Sequence, residues 1–273
     1  MAEPDHYGRA GLAGSILAAL RDVHGERERF APTELAGIDQ LHTWGAAGTA
    51  RLAELAGIGA NDRVLDLGGG LGGAARQLAA ERGCHVTVVD LSPWLCEAAE
   101  LLNRLTGLEA RVAIRRGDVL APPVPAGAYD VVWLQHVAMH VADRGRLFGA
   151  ARRALVPGGR LALWEVTAGP AGPPHLPAPW GDSPGSLTSA GELRAAALAA
   201  GFQEVAWRDM TQELAARMRA VRAMGGARSE PGPELVVADM AARQENHLRS
   251  LIEGRAGLVL AVLCLAAEVS PKT

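Results

Sequence analysis

The chain has 273 residues, 49% of them hydrophobic and 21% charged, with 27 basic against 30 acidic side chains and a net charge of −3. That length allows one large domain or one domain with a small attachment, and a near-neutral chain without a basic block lacks the electrostatic footprint of a nucleic-acid or anionic-membrane partner. The only lysine is Lys272, which leaves Schiff-base chemistry and lysine-dependent phosphate loops without an internal residue. Cys84, Cys96 and Cys264 are odd in number and form no CxxC, so neither a disulfide framework nor a zinc site is indicated. The N-terminus opens acidic, and the longest apolar run, Leu258 to Ala267, is about half of the roughly 20 residues a membrane helix needs. A soluble, reduced, cytoplasmic protein is expected.

Leu12, Ile16, Leu17 and Leu20 recur at helical spacing and predict an amphipathic helix over residues 11–24. A second helix is expected from Thr49 to about Ile58. Arg63–Leu67 reads as a short strand that runs into five glycines between Gly68 and Gly73, followed by a helical stretch from Ala74 to Ala80. His85–Asp90 is a second buried strand, and Ser92 as N-cap with Pro93 in the first turn starts a helix to Leu105. Arg111–Arg115, Tyr129–Leu134 and Arg160–Val166 are strands three to five, with a helix ending before Pro157-Gly158-Gly159. Six prolines between Pro170 and Pro184 predict a long ordered loop at the carboxyl edge of a sheet. Ser189–Gly201 is a helix, Glu204–Met210 a sixth strand, residues 211–253 mostly helical with a break at Gly225–Pro233, and Gly257–Leu265 a seventh strand. Strands alternating with helices specify βαβ units and a parallel sheet with right-handed crossovers, an α/β fold.

The run Asp66-Leu67-Gly68-Gly69-Gly70-Leu71-Gly72-Gly73 fits two patterns. As GxGxxG, through Gly68, Gly70 and Gly73, it is a dinucleotide fingerprint. As DxGxGxG, through Asp66, Gly68, Gly70 and Gly72, it matches the loop that binds S-adenosylmethionine (SAM) in Rossmann-like methyltransferases. Asp66 separates the two. A carboxylate ahead of the loop repels a pyrophosphate at the helix N-terminus, whereas a cationic, phosphate-free ligand carries an ammonium that wants an acceptor. Asp90 ends strand two, where a carboxylate can accept both ribose hydroxyls; capping the next helix is its alternative role. Asp118, after strand three, suits an adenine amino group, or is a turn acid in solvent.

Together, VLDLGGGLGG, VTVVDLSP, RRGDVLAPPVPAGAYDVVWLQHVAMHVAD, RRALVPGGRLALWEV and TSAGELRAAALAAGF resemble the class I SAM-dependent methyltransferases, in the broad group that includes the ubiquinone/menaquinone and sarcosine/dimethylglycine methyltransferases. The likeness extends upstream through IDQLHTWGAAGTARLAELAGI and downstream to EGRAGLVLAVL. It implies a Rossmann-like seven-stranded sheet ordered 3-2-1-4-5-7-6 with strand 7 antiparallel. It also implies an N-terminal helical cap over residues 1–60, a SAM-binding domain over 61–273, and a helical insertion at 211–253 that acts as a lid. The cofactor implied is SAM, held by Asp66, Gly68, Gly70, Gly72, Asp90, Leu91, Asp118, Val119 and Gln135, the last through its backbone carbonyl. Gly69 stands where many relatives carry Cys or Ser, a departure expected to cost little.

Methyl transfer from a sulfonium is an in-line displacement, so the protein mainly aligns the reactants and excludes water; a base is needed only if the acceptor arrives protonated. His136, directly after strand four, is the candidate base. His136 and His140 at i and i+4 would share one face of a helix as metal ligands, but the spacing supplies no third ligand, and no metal is expected. His42, Trp44, His140, His175 and Trp180 are candidate acceptor contacts, with packing or loop surface as the alternative for each; Trp180 would add a cation–π contact to a cationic group. Glu165 is expected to face the acceptor pocket or, the favoured reading, to pair with an arginine, and Trp133 and Met139 to be core. The leading function is methylation of O, N or C of a small-molecule metabolite. Its rivals are a SAM-binding relative that does not methylate (a cyclase, decarboxylase or scaffold) and a nicotinamide-dependent oxidoreductase. A nucleic-acid methyltransferase is disfavoured by the charge and by Leu-Gln-His-Val where an Asn/Asp-Pro-Pro-Tyr/Phe motif would stand. An oligomer is possible, but the sequence does not specify one.

Overall fold

The computed structural model describes residue 7, residues 9–224 and residues 231–266. Its strands are β1 (Arg63–Leu67), β2 (His85–Asp90), β3 (Val112–Arg116), β4 (Tyr129–Gln135), β5 (Leu155–Ala168), β6 (Phe202–Asp209) and β7 (Ala256–Leu265). They form one sheet in the order β3-β2-β1-β4-β5-β7-β6. The first five pair in parallel, and β7 runs antiparallel between β5 and β6. The order and the reversed strand are those implied by the resemblance. Residues Val64, Leu65 and Leu67 are fully buried, as a central parallel strand covered on both faces requires.

The helices are α1 (Leu12–His24), α2 (Pro32–Asp39), α3 (Gly45–Leu55), α4 (Gly73–Arg82), α5 (Pro93–Thr106), α6 (Arg144–Ala154), α7 (Ala190–Ala199), α8 (Thr211–Met224) and α9 (Met240–Ile252). The Ser92 hydroxyl caps α5 by accepting from Leu95 N–H at 3.3 Å, as its position before Pro93 predicts. Helix α2 was not foreseen. It lacks an apolar stripe, and its start is set by Pro32 in the first turn and by the Glu34 carboxylate accepting from Ala31 N–H at 2.7 Å. Strand β5 begins at Leu155 and not at Arg160, because Leu155 already pairs with Tyr129 before the register slips at Pro157-Gly158-Gly159 and resumes at Arg160 opposite Val131. Residues 225–230 of the expected break lie outside the described residues; beyond them Pro233–Leu235 forms a 3-10 turn and α9 follows.

Three apolar clusters hold these pieces together. One sheet face packs Trp133 and Trp164 against Leu52 of α3, Leu78 of α4, Leu214 of α8 and Leu251 of α9. The opposite face packs Leu67 and Leu134 against Phe148 of α6 and Leu193 of α7. The third joins Ile16 and Leu20 of α1 to Leu102 of α5, with Leu71 of the glycine loop and Met240 of α9. Helices α1, α2, α3, α8 and α9 are therefore built into the core.

Candidate active site

A cavity of about 1240 Å³ opens at the carboxyl ends of β1, β2 and β4, beneath α2, α3, α8 and α9. On one side lies the glycine loop, in which Gly68, Gly70 and Gly72 have φ of 73°, 56° and 74°, a region that L side chains with a Cβ rarely adopt. Asp90 anchors this loop. One carboxylate oxygen accepts from Gly70 N–H at 2.9 Å and the other from Ser92 N–H at 2.9 Å, and each oxygen keeps further lone pairs. Leu91 is 55% exposed, although it is a large apolar side chain on the cavity wall. Asp118 and Val119 line the same end, with Asp118 held in a turn by Leu120 N–H at 2.9 Å.

Asp66 is 2% exposed, and its Oδ2 has no hydrogen-bond partner among the described residues. Burial, and secondly the charge of Asp90, push its carboxyl up to about 7. An unbonded acceptor beside a second carboxylate suits a cationic ligand and repels a pyrophosphate. The residues present thus fit the ammonium, ribose and adenine of SAM. A Cβ at Gly69 would lie 2.5 Å from Asp66 Oδ2 and 2.8 Å from Val88 Cγ1, so a larger residue there would have to shift these side chains.

Across the cavity stand imidazoles and indoles. Trp133 Nε1–H, which can only donate, bonds Gln135 Oε1 at 2.9 Å. Gln135 Nε2 consequently faces His42 Nδ1 at 3.0 Å and donates to it. The His42 proton then sits on Nε2, 3.2 Å from Thr49 Oγ1, and Thr49 donates to Gln40 Oε1 at 2.9 Å. His42 Nδ1 also comes within 3.3 Å of the Thr43 carbonyl, a contact between two acceptors in this tautomer. With both nitrogens engaged and burial pulling its pKa down to about 4, His42 is a neutral structural link on the cavity wall. Gln135 belongs to this side-chain chain, a role that its expected backbone contact did not include.

His136 lines the cavity with φ of 61°, and Trp44 does so with φ of 68°. Left-handed backbone at such residues is strained and tends to mark functional sites. The turn is held by Glu165, whose Oε1 accepts from Val137 N–H at 3.0 Å and Ala138 N–H at 3.1 Å. Among the described residues no guanidinium hydrogen-bonds Glu165; the arginine that acts on it is Arg144, through its charge alone. Burial of Glu165 raises its pKa to about 7 against the pull of those two N–H groups. His136 Nε2 lies 2.9 Å from Thr43 Oγ1, which also accepts from Trp164 Nε1–H at 2.9 Å. Burial, then the neighbouring His42, His247 and His140, depress the His136 pKa well below its ordinary value.

Because the chain turns left-handed at His136 and continues as the 3-10 turn Ala138–His140, His136 and His140 do not share a helical face. Among the described residues no cluster of three or more His, Cys, Asp or Glu could hold a metal ion. His140 lines the cavity, 3.4 Å from Tyr7 Oη. Trp180 also lines it and is 3% exposed. His175 is the misplaced candidate: it sits outside the cavity lining and pairs with Glu253 at 2.7 Å, because the proline-rich loop turns it toward the end of α9. His247, on α9, is a cavity residue that sequence reasoning missed, since one histidine in a charged helix carries no motif. Thr43 and Thr49 were equally silent.

Comparison with known proteins agrees with this geometry. Residues 65–163 match the family described as a methyltransferase domain. The chain is 33% identical over 166 residues to the glycine/sarcosine/dimethylglycine N-methyltransferase of Actinopolyspora halophila, covering 60% of this chain and 29% of that protein. It is 35% identical over 126 residues to the 27-O-demethylrifamycin SV methyltransferase of Amycolatopsis mediterranei, covering 45% and 46%. The structure of geranyl diphosphate C-methyltransferase from Streptomyces coelicolor A3(2) superposes with a TM-score of 0.68 at 21% identity, over 96% of this chain and 94% of that one. Residues 65–163 thus correspond to a methyltransferase domain, and the site built around them fits SAM as its cofactor. The chain spans less than half the length of the two curated relatives, 29% and 46%. No helix among the described residues is long and apolar enough to cross a membrane.

Proposed function

We propose that this protein transfers the methyl group of SAM to a hydroxyl oxygen of a bulky, largely apolar small molecule, with His136 as the base. Asp66 would hold the cofactor's ammonium, Asp90 its ribose through lone pairs not used by Gly70 and Ser92, and Leu91, Asp118 and Val119 its adenine. Gly68, Gly70 and Gly72 let the backbone approach, and Gln135 closes the floor. When bound, SAM supplies an electrophilic methyl group on a sulfonium.

The chain aligns the acceptor and keeps water out. Trp44, Met139, Trp180, Leu214 and Leu248 wall that side, and helices α2, α3, α8 and α9 serve as its cover. His136 Nε2–H donates to Thr43 Oγ1, whose lone pairs accept both this proton and that of Trp164 Nε1. His136 Nδ1 is then the lone pair that takes the acceptor's hydroxyl proton. Its depressed pKa keeps it unprotonated at neutral pH.

One observation carries the choice of acceptor. The buried lining on this side is apolar side chains and neutral imidazoles, while Arg217 and Glu245 are exposed. An amino-acid acceptor would bring an ammonium and a carboxylate, and burying either without a partner is costly. A cytoplasmic location belongs to the same proposal and rests on the three free thiols. The test is incubation with SAM and a panel of polycyclic phenols, aliphatic alcohols, amines and carbon acids, read by mass. Methyl gain confined to hydroxyls is the expected result. Gain on amines alone would overturn the acceptor, and tight SAM binding with every compound unchanged would make the protein a non-methylating relative.

A further inference from the structure

Within the cavity the indole of Trp180 and the imidazole of His247 meet edge to face, with centroids 5.1 Å apart and an interplanar angle of 84°. They are 3% and 1% exposed. Both line the cavity, yet neither Trp180 Nε1 nor His247 Nε2 has a hydrogen-bond partner among the described residues. Buried polar nitrogens are normally satisfied, and each exception calls for a reason. His42, on the same cavity wall, has both its nitrogens engaged, whereas Trp44 Nε1 shares the unpartnered state of Trp180 Nε1 among the described residues.

The two rings are also held in place by a clamp. Arg243 of α9 donates to the Ala178 carbonyl at 2.9 Å and pairs with Asp182 at 2.8 Å. Asn246 donates to the Pro177 carbonyl at 2.9 Å, and Ser250 accepts from His175 N–H at 2.8 Å. Three side chains of α9 thus stitch down the loop on both sides of Trp180, while His247 on the same helix meets its ring. Groups fixed in this way, apolar around and unbonded at the tip, are how small-molecule sites fix the orientation of a ligand.

We propose that Trp180 and His247 form a recognition pair for an uncharged oxygen of the acceptor other than the one methylated, a carbonyl or a second hydroxyl. The indole N–H can only donate, so the ligand group must accept. Neutral His247 can donate or accept, which admits both kinds of oxygen. Arg243 is already committed to Ala178 and Asp182, so it is not spare for a carboxylate. This assignment rests on the proposed apolar hydroxylated acceptor and adds a second polar point to it.

The test uses the full chain saturated with S-adenosylhomocysteine and two probes of the same tricyclic shape, 2-hydroxyanthraquinone and 2-hydroxyanthracene, which differ in the ring carbonyls. Affinities are measured by equilibrium dialysis for the native protein, Trp180→Phe and His247→Phe. The native protein is expected to prefer the quinone by about tenfold, in line with the net worth of one or two neutral hydrogen bonds. Each variant should bring the two probes to within about threefold of each other. The affinity for S-adenosylhomocysteine reports folding, and if one variant fails that check the other decides. Equal binding of the probes by the native protein, or a preference that survives both substitutions, overturns the pair. No binding of either probe overturns the pair and the apolar acceptor together. A carbonyl preference without methyl gain when SAM replaces the homocysteine form sustains the pair and overturns methylation alone.

Discussion

Asp66 is a residue whose ionisation burial opposes. Its carboxyl rises from 3.8 to about 7 through burial and the charge of Asp90, so between those values the folded chain binds more proton there than the unfolded chain. Stability from this group is therefore complete below about pH 4 and declines until about pH 7. The buried histidines oppose it: His42 and His247, depressed from 6.5 to about 4, make stability rise with pH over that interval. The difference between the native protein and Asp66→Asn isolates the carboxyl. Relative to the variant, the ligand-free native protein should lose melting temperature from pH 5 to 7 and then level off; a flat difference would remove Asp66 from this role. SAM should also bind more tightly at pH 8 than at pH 6, because the ionised carboxylate meets the ammonium. For His136→Asn, kcat should fall about 100-fold or more, the scale of general-base catalysis, with S-adenosylhomocysteine affinity unchanged; an unaltered kcat would exclude the base. Thr43→Val should lower kcat by about tenfold by freeing the ring, as loss of an orienting partner does. Asp66, Asp90 and the glycines were legible because a strand-turn-helix places them by local spacing. The His42 tautomer was not, because it is dictated by Trp133 through Gln135, residues remote from His42 in the chain.

Among the elements, α4 shows how little a helical pattern reveals about a single charge. Arg76, which no sequence motif singles out, is fully buried. It bonds Asp39 of α2 at 2.7 Å, the Leu71 carbonyl of the glycine loop at 2.6 Å and Asn103 of α5 at 2.9 Å. One guanidinium thus ties the cap, the cofactor loop and a sheet-covering helix. Arg76→Met should cost about 3 kcal/mol or more in urea unfolding, since Asp39 is left buried and unpaired, and should weaken S-adenosylhomocysteine binding as the loop loosens. A loss under about 1 kcal/mol, the range of an exposed pair, would contradict this reading. Helix α2 escaped the sequence because its amphipathic signal is weak and its packing partner, Gly73, lies far along the chain. A Cβ at Gly73 would come within 2.6 Å of Asp39 Oδ1, so that glycine serves the close approach of two helices as well as the loop. The strands fared better: buried runs of Val and Leu bounded by glycine and aspartate have few other readings.

For the whole molecule, the division into a cap at 1–60, a lid at 211–253 and a sheet is one of chain order more than of packing. Leu52, Leu214 and Leu251 share a cluster with Trp133 and Trp164 of the sheet. Thermal unfolding followed by tryptophan fluorescence and by far-ultraviolet circular dichroism should therefore coincide in one transition; separate transitions would show that the cover folds independently. The sequence by itself determined the parallel sheet, its glycine loop and the carboxylates at the ends of β1 and β2, because strand period, turn chemistry and helix caps act over a few neighbouring residues. Only the tertiary structure decided the chamber proposed for the acceptor. His42, His136, Trp180 and His247 come from the link before α3, the end of β4, a proline-rich loop and α9. Their meeting depends on long-range packing, which leaves no periodic trace in the order of residues.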